Sequence, residues 1–165
     1  MRLALSFFIT CLFLPFTLFA KTVEDSFLKG DRESIIYQIE SFDEKDNPKN
    51  IILLIGDGMG MNHITLSRMA IGGDNYQLAL DQMPHIGTST TQSSNDLITD
   101  SAAAATTWAT GKKTKNKYLS MTPDKEPLQT ITELLSKRGY LTGVVATSSV
   151  THATPAAFFS HVDSR

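Results

Sequence analysis

Three short stretches of this chain carry side chains that could do chemistry, and the first is Asp100-Ser101-Ala102-Ala103-Ala104-Ala105-Thr106. Alanine is the best helix former, Gly111 stands where a C-terminal cap belongs, and Lys112 and Lys113 suit the negative end of a helix dipole. The pattern therefore predicts a helix that starts at Ser101. Free N–H groups and partial positive charge at such a start suit a phosphate-like anion, here beside a hydroxyl able to act as a nucleophile. The same residues also serve a plain N-cap, with Asp100 or Ser101 accepting an N–H from the next turn.

The second stretch runs from Asn50 through Ile51-Ile52-Leu53-Leu54-Ile55 into Gly56-Asp57-Gly58-Met59-Gly60. Five apolar residues ending at a glycine-rich turn predict a parallel strand buried on both faces. Asp57 would then stand at the strand's C-terminal end, the edge where open α/β sheets bind ligands. A carboxylate there suits a metal ion, and equally it could cap the helix expected from Met61 to about Ala70. The glycine spacing is not that of a dinucleotide fingerprint.

The third stretch is a second apolar run, Leu141-Thr142-Gly143-Val144-Val145-Ala146-Thr147, also read as a buried strand, followed by His152-Ala153-Thr154-Pro155-Ala156-Ala157. Thr154 as N-cap and Pro155 as the first helical residue predict a helix start. A threonine hydroxyl that caps a helix keeps a lone pair for a hard cation such as magnesium. Arg165 follows; its guanidinium could clamp phosphate with two parallel hydrogen bonds, or simply be solvated.

In identity, order and spacing, Asn50 to Gly60, Thr99-Asp100-Ser101-Ala102-Ala103 with Thr110-Gly111, and His152 to Ala156 with Arg165 resemble the alkaline phosphatases, over Asn50 to Arg165. The resemblance implies a phosphomonoesterase with two zinc ions and one magnesium ion. Ser101 would be the nucleophile that becomes phosphoserine and a zinc ligand, Asp57 would bridge zinc and magnesium, Thr154 would ligate magnesium, and Arg165 would hold the phosphate oxygens. His152 takes a place where an aspartate is often found. It could ligate the magnesium-site metal, reach it through water, or support its ligands from behind, the last being the preferred reading. Imidazole is softer than carboxylate, so that site should favour zinc over magnesium more than its acidic counterpart. The resemblance also implies an α/β fold with a mainly parallel sheet flanked by helices, incomplete in these 165 residues, with further zinc ligands and most of the sheet after Arg165. A homodimer is expected, because N-terminal arms in this family often contact a second subunit.

Around these stretches the chain divides into residues 1–20, 21–49 and 50–165. Arg2, an apolar run from Leu3 to Phe19 and Ala20 have the layout of a secretory signal peptide cut after Ala20, implying export to the periplasm or the medium and no membrane anchor afterwards. The run is marginal for a membrane span and contains Pro15, so an uncleaved anchor is the alternative. Cys11, the only cysteine, lies inside this leader. Residues 31–42 place Ile35, Ile36, Ile39 and Phe42 at helical spacing and predict an amphipathic helix. Met83 to Ser94 could form an extra strand, and Leu128 to Lys137 a helix with Pro127 at its first position. Asp81 and His85 are four apart, as in a helical zinc pair, but Pro84 between them argues against a helix.

With 15 basic and 17 acidic residues the net charge is −2, and loss of Arg2 with the leader makes it one unit more acidic, which excludes a nucleic-acid footprint. Phosphate monoesters are the expected partners. Two other readings compete. A related metal-dependent phosphodiesterase or sulfatase is one, although Ser101-Ala102-Ala103-Ala104-Ala105 lacks the Cys/Ser-x-Pro-x-Arg setting of sulfatases. A secreted, non-catalytic phosphate-binding homologue is the other.

Overall fold

The computed structural model describes residues 30–39 and 49–165. The expected leader and residues 40–42 of the expected arm helix lie outside them. The chain divides into two compact units, Met1–Ile86 and Gly87–Arg165.

In the first unit the helix expected after Gly60 forms as α1, Met61–Gly72. Gly60 is its N-cap, and the His63 ring accepts the Gly60 N–H at 3.3 Å. The helix ends where the Gly73 N–H returns to the Met69 carbonyl. A short 3-10 helix, Ala79–Gln82, follows. Arg68 of α1 reaches it with two bonds to Asp81, at 2.6 and 3.2 Å, which hold the Asp81 carboxyl below its ordinary range. This accounts for Asp81 without a metal.

Residues 31–39, expected to be helical, carry no regular secondary structure. Their polar groups are taken by distant partners: the Arg32 N–H donates to the Ile71 carbonyl, the Ser34 hydroxyl oxygen accepts the Gln77 N–H, the Tyr37 N–H donates to the Gln82 amide oxygen, and the Ile35 carbonyl accepts from the Gln82 amide nitrogen. A segment whose amides are satisfied across to another element has no need of the i to i−4 ladder.

The second unit holds the core. α2, Ser101–Thr110, begins at Asp100, whose carboxylate accepts the Ala103 N–H at 2.9 Å. It ends at Gly111, in the left-handed conformation (φ 71°) that glycine adopts without a Cβ penalty. α3, Ile131–Lys137, is capped reciprocally: Thr130 accepts the Glu133 N–H, and Glu133 accepts the Thr130 N–H. α4, Ala153–Ala156, packs on α2, and α2 also touches α3. The buried cluster is Ala102, Ala105, Leu119, Ala153, Ala156 and Ala157. Small side chains let the two helices approach closely, and each methyl-sized group buried contributes about 0.8 kcal/mol. Within this core Thr106 is fully buried; its hydroxyl donates to the Tyr118 carbonyl and accepts the Ser120 N–H at 2.8 Å.

Four expectations need correcting. The runs 51–55 and 141–146 carry no regular secondary structure and join no ladder, and they are exposed rather than buried, Leu54 at 85% and Val145 at 99%. A strand is buried by its neighbours, and among the described residues the only pairings outside helices are two isolated antiparallel bridges, Leu119 with Val162 and Met121 with Pro127. The parallel sheet is thus not confirmed among them. Met83 to Ser94 is irregular. The helix expected from Leu128 starts at Ile131, because Leu128 donates to the Ser120 carbonyl and Pro127 sits in a bridge. Finally, α4 is capped by His152, with Thr154 second and Pro155 third in the helix. Proline fits the first turn, where N–H groups lack intrahelical partners in any case.

Candidate active site

Ser101 is the first residue of α2 and half-buried, so its hydroxyl stands at the helix start that the sequence pointed to. The group that organises this end is Asp100. One of its oxygens caps α2 through Ala103, and the other accepts the Lys117 N–H at 2.8 Å. The Asp100 N–H donates in turn to Asn116, whose side chain also holds the Ile98 carbonyl. Lys117 has φ 75°, a conformation uncommon for a residue with a side chain, and the bond to Asp100 helps to hold it there.

Arg165 is brought to the same place: its Nε lies 3.6 Å from the Asp100 Oδ2 that binds Lys117. A cation and the partially positive start of α2, whose first residue is Ser101, therefore meet at one carboxylate. Sequence reasoning treated Asp100 as a cap alone. Its second oxygen and its tie to Arg165 join residues far apart in the chain, and no local pattern signals that.

Thr154 and His152 are both half-buried at the start of α4, which packs against α2. Asp57 lies in the other unit, exposed in the tight turn that Met59 closes on the Gly56 carbonyl at 3.2 Å. Gly58 has φ 65° there, which admits the turn. Asp57 is not the N-cap of α1, since Gly60 is. The structure gathers Asp100, Ser101 and Arg165, then, with Thr154 and His152 on a neighbouring helix of the same unit.

Asp57, Ser101 and Thr154 are oxygen donors, the kind that magnesium prefers and zinc accepts. Among the described residues, however, no group of three or more His, Cys, Asp or Glu could hold a metal ion. The donors fit such ions in kind but fall short of a complete ligand set. Among those residues, too, no helix is long and apolar enough to cross a membrane.

The sequence model of the alkaline phosphatase family matches residues 48–165. An alkaline phosphatase of Schizosaccharomyces pombe is 41% identical over 124 residues, covering 73% of this chain and 23% of that protein. Streptomycin-6-phosphate phosphatase of Streptomyces griseus is 45% identical over 71% of this chain and 27% of its own length. A solved structure of a TAB5 alkaline phosphatase variant with magnesium bound is similar at a TM-score of 0.67 and 39% identity, over 71% of this chain and 33% of that one. These solved neighbours have an α/β fold. The chain spans about a quarter of the length of the curated relatives it matches.

Proposed function

This chain belongs to the alkaline phosphatase family, and from that premise we propose that the whole protein hydrolyses phosphate monoesters through a phosphoserine at Ser101. The observation that carries the reading is the grouping at the start of α2, where Ser101 opens the helix and Arg165 stands beside it through Asp100. Phosphate chemistry asks little of a protein except positioning and compensation of charge, and this grouping supplies both. The Ser101 oxygen attacks phosphorus, the bond to the ester oxygen breaks, and the released alcohol takes up a proton. Water then attacks the phosphoserine, the bond between phosphorus and the Ser101 oxygen breaks, that oxygen regains a proton from the water, and inorganic phosphate leaves. Throughout, Arg165 binds the non-bridging oxygens, which a guanidinium does in bidentate fashion, and the N–H groups of the first turn of α2 add to that field.

We also propose two zinc ions and one magnesium ion, with Asp57, Ser101 and Thr154 among their ligands and His152 supporting them. When bound, such ions lower the pKa of a hydroxyl and stabilise the leaving oxygen. The magnesium in the TAB5 structure supports metal dependence. Export by way of residues 1–20 and a homodimer belong to the same proposal.

The test is Ser101→Ala in the whole protein, with labelled substrate and trapping at acid pH. Alanine has no oxygen to accept phosphoryl, so the phosphoenzyme should vanish and activity fall by at least about a thousandfold. Phosphate still held covalently by the variant would show that another residue is the nucleophile.

A further inference from the structure

The segment that delivers Arg165 is fastened by a side chain the proposed reaction does not use. The His161 ring lies between two acceptors: Nδ1 is 2.8 Å from the Ser120 carbonyl oxygen, and Nε2 is 2.8 Å from a Glu133 carboxylate oxygen. Neutral imidazole carries one N–H and can satisfy only one of them, whereas imidazolium donates to both. Glu133 cannot swing away cheaply, since its other oxygen holds the Thr130 N–H at 2.9 Å and so caps α3. Beyond His161, Val162 exchanges two backbone bonds with Leu119 at 2.8 and 3.0 Å, Asp163 meets Lys125 at 2.6 Å, and Arg165 reaches Asp100.

We propose that His161 is a positioning residue for Arg165: by donating from both ring nitrogens it closes a clamp between Ser120 and Glu133, and so holds residues 161–165 with the guanidinium beside the start of α2. This rests on the reading of Arg165 as the phosphate-binding residue. Burial pulls the His161 ring towards its neutral form, but the Ser120 carbonyl and the Glu133 carboxylate outweigh it and raise the ring above its ordinary value. Glu133 is lowered in turn, first by its bond to His161 and then by the Thr130 N–H. The other charged or titratable groups on the surrounding elements are Lys115, Lys117 and Tyr118 on the segment leading to Ser120, Lys125 with Asp163, Asp124 and Glu126 on the 121–127 turn, His152 at the start of α4, Lys137 and Arg138 at the end of α3, and Asp100 with Arg165 at α2. The carboxylate bonded to the ring is that of Glu133.

The sign follows. A raised histidine contributes fully below its unfolded value near 6.5, and the contribution is lost as pH rises through the folded value. The clamp is therefore closed at mildly acid pH and loses one arm in alkali.

Inorganic phosphate, as a competitive inhibitor of the whole protein, tests this between about pH 5 and about pH 9. The proteins are wild type, His161→Ala, Glu133→Gln and Arg165→Ala. In Glu133→Gln the amide oxygen can still accept from Thr130 and the amide N–H can donate to neutral His161, which keeps its proton for Ser120. That clamp needs no imidazolium. Relative to Glu133→Gln at each pH, which cancels the ionisation of phosphate itself, wild-type affinity should fall about threefold to tenfold as His161 titrates, while His161→Ala is weakened by about that factor at every pH. Ring nitrogen NMR follows the His161 titration independently of activity. A wild-type to Glu133→Gln ratio that stays constant with pH, or phosphate bound by His161→Ala as tightly as by wild type at about pH 5, where the clamp is closed, overturns the proposal. If Arg165→Ala binds phosphate as wild type does, the reading of Arg165 falls instead.

Discussion

The two units contrast sharply in what holds them. Among the described residues, Met1–Ile86 has no buried side chain, and hydrogen bonds and a guanidinium–carboxylate pair tie its segments together. Gly87–Arg165 has an alanine-lined core with buried hydroxyls threaded through it. Each unit contains a strongly apolar run, so hydrophobic residues alone do not explain the difference. A helix satisfies its own backbone, and α2 can bury Ala102 and Ala105 against a single neighbour, α4. An extended run cannot: Ile51–Ile55 needs a strand on each side and a layer on each face. The contrast teaches that α2 and its capping network stand on contacts inside one unit, while Asp57, at the end of such a run, lacks that support among the described residues.

The comparison breaks most readily at Ala157, which is fully buried against α2 and α4. In the 165-residue chain Ala157→Leu should overpack the core and cost about 1–3 kcal/mol, whereas Leu54→Ala, at a position 85% exposed, should stay within about 0.5 kcal/mol. Urea unfolding measures both. Equal losses would mean that the first unit is packed as firmly as the second.

A smaller effect is expected from Asp100→Ala, which removes the cap of α2 and the acceptor of the Lys117 N–H. Loss of such a cap costs about 0.5–2 kcal/mol. Thermal unfolding gives the cost, and faster amide exchange at Ala103 and Lys117 would locate it. Protection unchanged at both amides would show that Asp100 does not organise this end.

The smallest effect belongs to the first unit's own carboxylate. Asp81→Asn should lower the urea midpoint slightly at neutral pH, because the bond to Arg68 depresses the Asp81 carboxyl. A depressed acid stabilises above its unfolded value and ceases to do so as pH falls through the folded one. The difference between the two proteins should therefore fade below the usual carboxylate range. A difference that persists there would point to packing rather than charge.

Helices were legible because their signals are local. Asp100, the alanine run and Gly111 predicted α2 to the residue, and the helix expected from Met61 to about Ala70 is α1, which runs two residues further. The start of α3 was misread because proline at 127 imitates a first helical residue, while the reciprocal cap of Thr130 and Glu133 sits three residues on. The arm was misread because isoleucines at helical spacing also suit a segment whose amides bond elsewhere.

By itself the sequence determined which residues could do chemistry and the helices that present two of them, Ser101 and Thr154, since propensity and capping act within a few residues. It also carried the family, through three motifs in order. Only the tertiary structure decided that the second oxygen of Asp100 meets Arg165 and that His161 bridges Ser120 to Glu133. Each of those contacts joins residues 28 to 65 positions apart. Such a pairing is set by how packed elements return the chain to one point, and no local propensity encodes it.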